Sequence, residues 1–341
     1  MIFGRDIGID LGTTTMIISM KGRGIITREP SVVAMDKNTG RLLKVGMAAQ
    51  RMLGRTPGNI VAIRPMCGGV INDYDMTQHM LKELFRKVGS FNLFKPCVLV
   101  SVPSGITEIE ERAVIDACLQ AGARKVFLLE APVAAALGAG LDIADAKGYM
   151  VVDIGGGTTD VAVISLSGVV QSESIKIAGN AFNDAIIKYV RKKHNLLIGD
   201  ATAEDLKLRI GSVFPKPENA YVEVKGRCLM TGLPRVVSVS STDVIDAFEE
   251  PSEQILETIH QVLESTPPEL VADISTNGII LTGGGSLLWG FDKLVETSTG
   301  IATHIADDAD MCVAYGLTKQ LAFIGDMQEG TLNLSRRRQM R

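Results

Sequence analysis

Two glycine-rich segments of the chain repeat one order of residue types, an aspartate followed by glycine and then threonine. The first runs from Asp10 to Thr15 (DLGTTT) and the second from Asp153 to Thr159 (DIGGGTT). Glycines let the backbone approach an anion closely and aim N–H groups at its oxygens, and threonine hydroxyls add donors. An aspartate beside such a turn suits Mg²⁺, which keeps most of its waters when bound. The pattern predicts a site for a phosphorylated ligand with its magnesium ion.

The two segments occupy equivalent positions of an internal repeat. Each follows a short apolar strand and leads into a second strand, so the unit occurs once in each half of the chain. A single segment of this kind is equally consistent with an ordinary glycine-rich hairpin. Its repetition favours the phosphate-binding interpretation. Asp10 and Asp153, which come from opposite halves, are the predicted magnesium-binding residues, acting through water.

A third glycine cluster follows another apolar run. Thr282 to Ser286 (TGGGS) lies between a predicted strand and a helical pattern, where bare backbone can accept a flat base or a phosphate. A flexible loop is the alternative interpretation. Glu204 and Lys207 are three residues apart on a predicted helix and share a face. By itself, that pair is more typical of a solvated surface ion pair.

Apolar spacing places these motifs on predicted elements. In the first half, the pattern predicts strands at 6–11, 16–20, 31–35, 97–102 and 126–129, with helices at 76–88, 108–121 and 133–140. From Tyr149 a similar order restarts, with strands at 149–153, 159–166 and 169–177, then helices at 183–193, 203–210, 241–264 and 268–274 and a buried strand at 278–281. We therefore predict a duplicated α/β domain with a cleft between its copies.

Composition limits the classes of protein that fit. The chain has 341 residues, 46% hydrophobic and 22% charged, which predicts about two soluble globular domains. No apolar run reaches the ~18 residues of a membrane span, and an early strand leaves no room for a signal peptide. The net charge of −4 argues against bulk nucleic-acid binding. Five scattered cysteines without C-x-x-C spacing argue against a disulfide framework or a metal cluster and fit a reducing cytosol.

Taken together, the motifs resemble the actin and heat-shock-chaperone ATPase superfamily. Within it, residues 5–323 are similar to the MreB/Mbl-type bacterial actins. The supporting strings, beyond the three glycine loops, are Glu130-Ala131-Pro132, Thr202 to Lys207, Arg28 to Ala34, Gly54 to Asn59, Pro103 to Thr107, Thr231 to Arg235 and Thr266 to Leu270. This combination is far more specific than any single glycine loop.

The resemblance implies a fold and its division. It implies two ribonuclease-H-like (actin-like) domains flanking a nucleotide cleft, each with a small inserted subdomain. Domain I is expected at 1–145, with its small subdomain at about 32–76 and the helix at about 311–324 packing back on it. Domain II is expected at 146–310, with its small subdomain at about 182–240. Residues 325–341 are expected to form a flexible tail.

The resemblance also implies the ligand, which is ATP with Mg²⁺. The residues expected to bind nucleotide are Asp10, Gly12, Thr13, Thr14, Thr15, Gly155, Gly156, Gly157, Thr158, Glu204, Asp205, Leu206, Lys207, Gly283, Gly284, Gly285 and Ser286. Glu204 and Lys207 are expected beside the ribose and adenine, with the third glycine cluster on the other side.

One departure from the family bears on catalysis. Family members usually carry a glutamate immediately before the proline that opens the helix at 133–140, and this glutamate positions the water that attacks the γ-phosphate. Here that position holds Ala131, which can neither orient water nor accept a proton. Glu130 could substitute only if the backbone departs from regular extension, because neighbouring side chains of a strand point to opposite faces. Thr158 is expected to contact the same water. We expect ATP binding to persist and hydrolysis to be slow or lost.

Two further segments bear on partners. The connection Ser90 to Pro96 carries Phe91, Leu93 and Phe94, and it resembles the membrane-inserting loop of the family, although it could instead tuck into its own core. The basic tail (Arg336, Arg337, Arg338 and Arg341) could attract anionic lipid or could be a solvated end. The helix 108–121 resembles the one that pairs protofilaments antiparallel.

The resulting hypothesis is a cytoplasmic bacterial actin homologue, peripheral at the inner face of the cell membrane. Its expected partners are other copies of itself, the membrane, and membrane proteins of the cell-wall elongation machinery, with no nucleic acid. Its expected role is the organisation of cell shape and cell-wall synthesis. A small-molecule kinase or a chaperone-type ATPase on the same fold is the alternative. The chain offers no candidate substrate insertion for a kinase, and no peptide-binding module follows the second domain.

Overall fold

The structure, a computed structural model, describes residues 6–89 and 95–327. Its elements up to residue 138 form the first lobe, and those of 149–305 form the second. The first lobe contains β1 (Ile7–Leu11), β2 (Thr15–Met20), β3 (Gly24–Pro30), β4 (Val33–Asp36), β5 (Leu42–Val45), α1 (Met47–Gln50), β6 (Ile60–Ile63), β7 (Met66–Cys67), β8 (Val70–Ile71), α2 (Tyr74–Val88), β9 (Cys97–Val102), α3 (Glu108–Ala121), β10 (Lys125–Glu130) and α4 (Ala131–Gly138).

The second lobe follows the same order of strands. It contains β11 (Tyr149–Ile154), β12 (Thr159–Ser165), β13 (Gly168–Ile175), α5 (Gly179–His194), β14 (Leu196–Leu197), α6 (Asp200–Ile210), β15 (Tyr221–Cys228), β16 (Pro234–Ser240), α7 (Ser241–Glu264), α8 (Pro268–Asn277), β17 (Ile279–Thr282), α9 (Phe291–Thr299) and β18 (Thr303–Ile305). The last helix is α10 (Cys312–Gln320), and 3-10 turns cover Gly284–Leu287, Ala309–Met311 and Leu321–Asp326.

Each lobe is built on a five-stranded mixed sheet with matching topology. The strand order is β10-β9-β1-β2-β3 in the first lobe and β13-β12-β11-β17-β18 in the second. In both sheets a central strand, β1 or β11, forms an antiparallel hairpin on one side and a parallel pair on the other. The predicted duplication of an α/β unit is confirmed by this correspondence. Two small sheets, β5-β4-β6 and β14-β15-β16, lie within the ranges predicted as small subdomains.

Helix α10 comes from the end of the described chain yet packs on α4 of the first lobe. The two helices approach closely at Gly138 and Gly316. A Cβ atom at Gly138 would lie 1.8 Å from the Cys312 carbonyl oxygen, and one at Gly316 would lie 1.8 Å from the Ala134 carbonyl oxygen. Only glycine therefore fits at either contact. The same core cluster holds Val151 from β11 and Leu99 from β9, so it joins the two lobes.

The actual boundaries differ from the predicted ones at several elements. β3, β5 and β6 fall in a stretch for which the sequence pattern predicts little strand, because their side chains are mostly half-buried rather than alternately buried and exposed. Helix α4 begins at Ala131, two residues earlier than predicted. Pro132 in its first turn explains this start, since that position needs no backbone N–H and the proline φ suits a helix.

Candidate functional site

The two predicted phosphate loops are hairpin turns that meet between the lobes. The first joins β1 to β2, and the second joins β11 to β12. A Cβ atom at Gly156 would lie 2.3 Å from the Thr14 hydroxyl oxygen, and one at Gly157 would lie 2.3 Å from the Thr13 hydroxyl oxygen. The glycines of the second loop therefore allow the threonines of the first to come into direct contact. The two copies of the predicted repeat therefore face each other, with one loop contributed by each half of the chain.

Between the loops, the lobes enclose a cavity of about 810 Å³. Its volume lies within the range of roughly 300–1,000 Å³ that is usual for small-molecule and cofactor sites. Of the predicted binding residues, those that line it are Asp10, Gly12, Thr13, Thr14, Thr15, Gly155, Gly156, Gly157, Thr158, Glu204, Lys207, Gly283, Gly284 and Gly285. Asp153 and Ala131 line it as well.

Three predicted residues lie elsewhere. Leu206 is fully buried in the core of the second lobe, and Asp205 is exposed and pairs with Arg209. Ser286 is buried, and its hydroxyl donates to the Gly283 carbonyl at 2.7 Å, so it shapes the third glycine loop from behind. Helical geometry accounts for the first two, because residues 205 and 206 are on other faces of α6 than Glu204 and Lys207.

The two predicted magnesium residues are carboxylates near the ends of equivalent strands, Asp10 half-buried and Asp153 buried. The Ser101 hydroxyl donates to Asp10 at 2.9 Å, and the Thr282 hydroxyl donates to Asp153 at 2.9 Å. Burial raises the pKa of Asp10 to about 6. Burial, with the nearby charge of Asp160, raises the pKa of Asp153 to about 7. Because burial penalises the charged forms, a bound cation would stabilise both carboxylates, and the residues present fit a hydrated Mg²⁺.

A third buried carboxylate, Asp160, was not among the predicted residues. It lines the cavity, is opposite Asp153 in the β11–β12 pair, and accepts the Ser104 backbone N–H at 2.9 Å. Ser104 belongs to the first lobe, so this hydrogen bond joins the lobes across the cleft. Burial raises the pKa of Asp160 to about 6, while hydrogen bonds from Ser174, Ser104 and Thr158 act against the rise. In the sequence, Asp160 is the charged residue of β12 and directly precedes the apolar run 161–164, and this pattern could have indicated a functional role.

Ala131, at the position where the family is expected to carry a glutamate, is the first residue of α4. Ala131 lines the cavity together with Thr158 and Pro103. Glu130 is the last residue of β10, is buried, and is absent from the residues that line the cavity. The backbone keeps its extended conformation at Glu130, with φ −63° and ψ 133°. Ala131 therefore borders the ligand space, and the neighbouring Glu130 does not.

Next to this position, a glycine hairpin closes one side of the cavity. The Gly69 N–H, between β7 and β8, donates to the Thr13 hydroxyl at 2.9 Å. Gly69 has φ +75°, and a Cβ atom there would lie 2.5 Å from Pro103 and 2.9 Å from the Thr158 methyl. The hairpin therefore contacts both phosphate loops.

On the remaining side, α6 and the third glycine loop face the cavity. The Lys207 ammonium contacts Glu204 at 2.9 Å and donates to the Gly179 carbonyl at 2.9 Å. Burial lowers the pKa of Lys207. The pKa of Glu204 is lowered too, since burial acts to raise it but Lys207 and Asn183 outweigh that effect. Glu204 and Lys207 therefore do not form the solvated surface ion pair that their spacing alone would suggest, because both residues line the cleft.

The third glycine loop packs directly on the second phosphate loop. Gly283 has φ +80°, and a Cβ atom there would lie 2.3 Å from the Ile154 carbonyl oxygen. A Cβ atom at Gly285 would lie 2.4 Å from the Ile154 side chain. Small residues are therefore required here for packing, and the same bare backbone lines the cavity.

The predicted membrane residues Phe91, Leu93 and Phe94 lie outside the described residues, as does most of the tail. Among the helices of 6–89 and 95–327, none is both long enough and apolar enough to span a bilayer. Within the same ranges, no group of three or more His, Cys, Asp or Glu side chains is arranged to hold a metal ion.

Comparison with known proteins gives a consistent result. The profile of the family described as "MreB/Mbl protein" matches residues 4–329. The cell shape-determining protein Mbl of Bacillus cereus is 48% identical over 316 residues, which are 92% of this chain and 95% of Mbl. The cell shape-determining protein MreB of Escherichia coli K12 is 49% identical over 337 residues, covering 97% of each chain.

Solved structures agree in fold. MreB5 of Spiroplasma citri bound to AMPPNP superposes with a TM-score of 0.90 at 38% identity, covering 94% of this chain and 96% of MreB5. The MamK double helical filament superposes with a TM-score of 0.80 at 22% identity, covering 93% of this chain and 98% of MamK, and is a likeness of fold. The actin-like fold predicted from the sequence is confirmed by these superpositions.

Proposed function

The chain belongs to the MreB/Mbl family, and from that premise we propose that it is an ATP-binding bacterial actin homologue that polymerises into filaments and organises cell shape. One observation carries the proposal. Two glycine–threonine loops, one from each lobe, meet across the cleft, with Asp10 half-buried and Asp153 buried at their bases. The family relationship favours this function over a kinase or a chaperone-type ATPase.

The proposed ligand is ATP with Mg²⁺. MreB5 has been solved with AMPPNP and with ADP, which supports a nucleotide in the corresponding cleft of this chain. The backbone N–H groups of the two loops would bind the phosphates. Asp10 and Asp153 would hold the magnesium ion through its waters, and Glu204 with Lys207 would lie beside the ribose and base. When bound, the ion would supply charge neutralisation for the triphosphate.

We further propose that hydrolysis is slow. Ala131 lines the cleft where the family is expected to carry a water-positioning glutamate, and Glu130 is not among the lining residues. Thr158 then remains as the side chain expected to contact the attacking water. The nucleotide would act mainly by holding the two lobes together, and its hydrolysis would set the lifetime of the filament.

Filament pairing is proposed for α3. Ile109 is 81% exposed and Leu119 is also exposed on this helix, so both are available to a second protofilament. We propose that α3 meets α3 of a second protofilament in antiparallel orientation, as the family resemblance implies.

The membrane part of the proposal depends on the sequence of residues 90–94 alone. Phe91, Leu93 and Phe94 would insert into the inner face of the cell membrane, which makes the protein cytoplasmic and peripheral. At that surface, membrane proteins of the cell-wall elongation machinery would be its partners.

A sedimentation assay tests the proposal. Purified protein is centrifuged with ATP, ADP or no nucleotide, in the presence or absence of anionic liposomes. We expect ATP-dependent pelleting without lipid and co-sedimentation with liposomes. Replacing Leu93 and Phe94 by serine should abolish only the lipid-dependent part, and Leu166→Ser, at an exposed leucine between β12 and β13, should change neither. Absence of polymer under all nucleotide conditions would disprove filament formation.

A further inference from the structure

A row of polar residues crosses the sheet of the second lobe. Thr282 of β17 is paired with Asp153 of β11. Asp153 is paired with Asp160 of β12, and Asp160 is paired with Ser174 of β13. Both aspartates of this row line the cleft, whereas residues 161–164, which follow Asp160 along β12, are apolar and fully buried. The sheet therefore places a second carboxylate beside the predicted magnesium residue, and the proposed function gives it no role.

Asp160 is 1% exposed and is surrounded by hydrogen-bond donors from both lobes. The Ser104 backbone N–H of the first lobe donates to its Oδ1 atom at 2.9 Å. Burial raises the pKa of Asp160, and hydrogen bonds from the Ser174 and Thr158 hydroxyls act against that rise. A buried carboxylate needs such donors to remain charged. Asp160 is therefore a fixed acceptor, and one of its donors belongs to the second phosphate loop.

Thr158 and Asp160 lie on the same side of their chain segment. Alternate residues of an extended segment point to the same face, and both residues line the cleft. The intervening Thr159 is fully buried, and its hydroxyl donates to the Ile177 carbonyl at 2.6 Å. The Thr158 methyl would lie 2.9 Å from a Cβ atom at Gly69, so it packs against the glycine hairpin of the first lobe. This packing restricts the β-branched side chain and fixes its hydroxyl beside Asp160.

We propose that Asp160 is a positioning residue for ATP hydrolysis, because it takes the hydroxyl hydrogen of Thr158 and leaves the Thr158 oxygen as an acceptor for the attacking water. This inference rests on the proposed ATP binding and slow hydrolysis. A threonine hydroxyl has one hydrogen to donate and two lone pairs that accept. With its hydrogen directed at Asp160, Thr158 accepts a hydrogen from the water. A lone pair of that water is then left to face the γ-phosphate.

The contribution of Asp160 is to orientation. In the hydrolytic step, the water oxygen bonds to the γ-phosphorus as the bond from phosphorus to the β,γ-bridging oxygen breaks. ADP leaves with that electron pair, one water hydrogen stays on the released phosphate, and the other passes to solvent as a proton. Asp160 acts through Thr158 and not on the reacting atoms. Its effect matters here because Ala131 supplies no polar side chain to orient the water.

Asp160→Asn tests the direction of the hydrogen bond. Asparagine has the same shape, but an NH₂ group replaces one carboxylate oxygen. If its carbonyl oxygen keeps the Ser104 N–H, its NH₂ group donates to Thr158, whose own hydrogen then turns toward the cleft. We expect single-turnover phosphate release to slow about 10²-fold, the scale of a misplaced reacting group, without weaker MgATP binding by calorimetry. Asp145→Asn, the same change at an exposed residue outside the cleft, should alter neither quantity.

Thr158→Val tests whether Asp160 acts through Thr158. Valine keeps the branched shape of threonine and lacks the hydroxyl, so Asp160 has nothing to orient. We expect Asp160→Asn to cause no further loss of rate in the Thr158→Val background, whereas independent effects on the rate would multiply. Thr158→Ser retains a hydroxyl and should retain the sensitivity to Asp160→Asn. A merely structural role of Asp160 would not depend on the residue at position 158 in this way.

The outcomes separate this inference from the proposed function. The same variants are also compared in the Ala131→Glu background, where faster hydrolysis is expected. An unchanged rate in Asp160→Asn, or losses that multiply with Thr158→Val, would overturn the positioning role and leave ATP binding intact. Weaker MgATP binding together with a lower free energy of unfolding in Asp160→Asn would show a structural role and also overturn it. A protein that binds MgATP but hydrolyses it in neither background refutes the positioning role alone, and one that binds no MgATP refutes both proposals.

Discussion

At the scale of single residues, the proposed slow hydrolysis of ATP depends on position 131. The site has glycine-rich backbone and threonine hydroxyls, which suit phosphate oxygens, and aspartate carboxylates, which suit a cation. A water molecule must also be aimed at the γ-phosphate for hydrolysis, and a methyl group at Ala131 cannot do this. This is the basis of the proposal that the cleft holds ATP and cleaves it slowly.

Restoring a carboxylate at this position should raise the rate of hydrolysis. We expect Ala131→Glu to increase phosphate release about 10²-fold in single-turnover assays with MgATP, since one positioned general base has an effect of this order. Ala131→Gln is the matched control, because it can orient water without taking a proton and should give a smaller gain. A wild-type rate equal to that of the glutamate variant would show that Ala131 does not limit hydrolysis.

The buried aspartates make nucleotide-free stability depend on pH. Burial raises the pKa of Asp153 from 3.8 to about 7, so the folded state holds a proton that the unfolded state has released. The free energy of unfolding of the nucleotide-free protein should therefore fall as pH rises from about 4 to about 7. Mg²⁺ requires the ionised form, so MgATP affinity should be higher at pH 7.5 than at pH 5.5.

Thermal unfolding across this pH range checks the effect. Asp153→Asn, which cannot ionise, should flatten the decline in stability with pH and weaken the pH dependence of MgATP binding. Asp145→Asn is a suitable control, because Asp145 is an exposed carboxylate that pairs with Lys147 outside the cleft. Identical pH profiles for wild type and Asp153→Asn would contradict the assignment.

At the scale of elements, hydrophobic periodicity in the sequence predicts the helices and strands that bury one face or all of their side chains. The helix predicted over 108–121 is found with the same ends, since its capping residue Thr107 and the following Gly122 mark its limits. The run 97–102 is found as β9, buried at all six positions. β3 gives no such signal, because most of its residues are half-buried.

Sequence reasoning located the three glycine loops but not the contacts between them. That Gly156 and Gly157 face Thr14 and Thr13 depends on how the lobes are placed, which no local pattern encodes. Asp160 was missed for the same reason, because its hydrogen bond to Ser104 comes from the other lobe. Ser286 belongs to a predicted motif and still points away from the ligand space, since the 3-10 turn at Gly284–Leu287 directs it into the core.

The α4–α10 contact should be sensitive to one added methyl group. We expect Gly316→Ala to reduce the free energy of unfolding by about 1–3 kcal/mol, because its Cβ atom would be forced against the Ala134 carbonyl and the helices would have to separate. Chemical denaturation measures the change. Gly325→Ala is the control, since a Cβ atom there would have nothing within 4 Å. Equal stability of the two variants would contradict the close packing.

At the scale of the whole molecule, several contacts join the lobes on different sides of the cleft. Arg28 of β3 pairs with Asp310 at 2.6 Å, and Ser104 binds Asp160. The core cluster that contains α4 and α10 also includes residues of both lobes. A ligand that contacts both phosphate loops adds to these links, so nucleotide binding and the relative position of the lobes are coupled.

Assembly should depend on the exposed face of α3. Ile109→Asp should prevent pairing of protofilaments and leave single protofilaments intact, because a charge would be buried at the proposed antiparallel contact. Electron microscopy of filaments grown with ATP distinguishes single from paired forms. Leu166→Asp changes another exposed apolar residue, 66% exposed between β12 and β13, and should leave pairing unchanged. Paired filaments in the Ile109→Asp variant would place the interface elsewhere.

The position of α10 also bears on how the protein is made. Because α10 completes the core of the first lobe, a nascent chain that has emerged only through α4 still exposes the α4 surface around Ala134 and Gly138. That surface is covered only after the ribosome has synthesised the second lobe and residues 312–320. The two sides of the cleft are therefore both complete only late in translation.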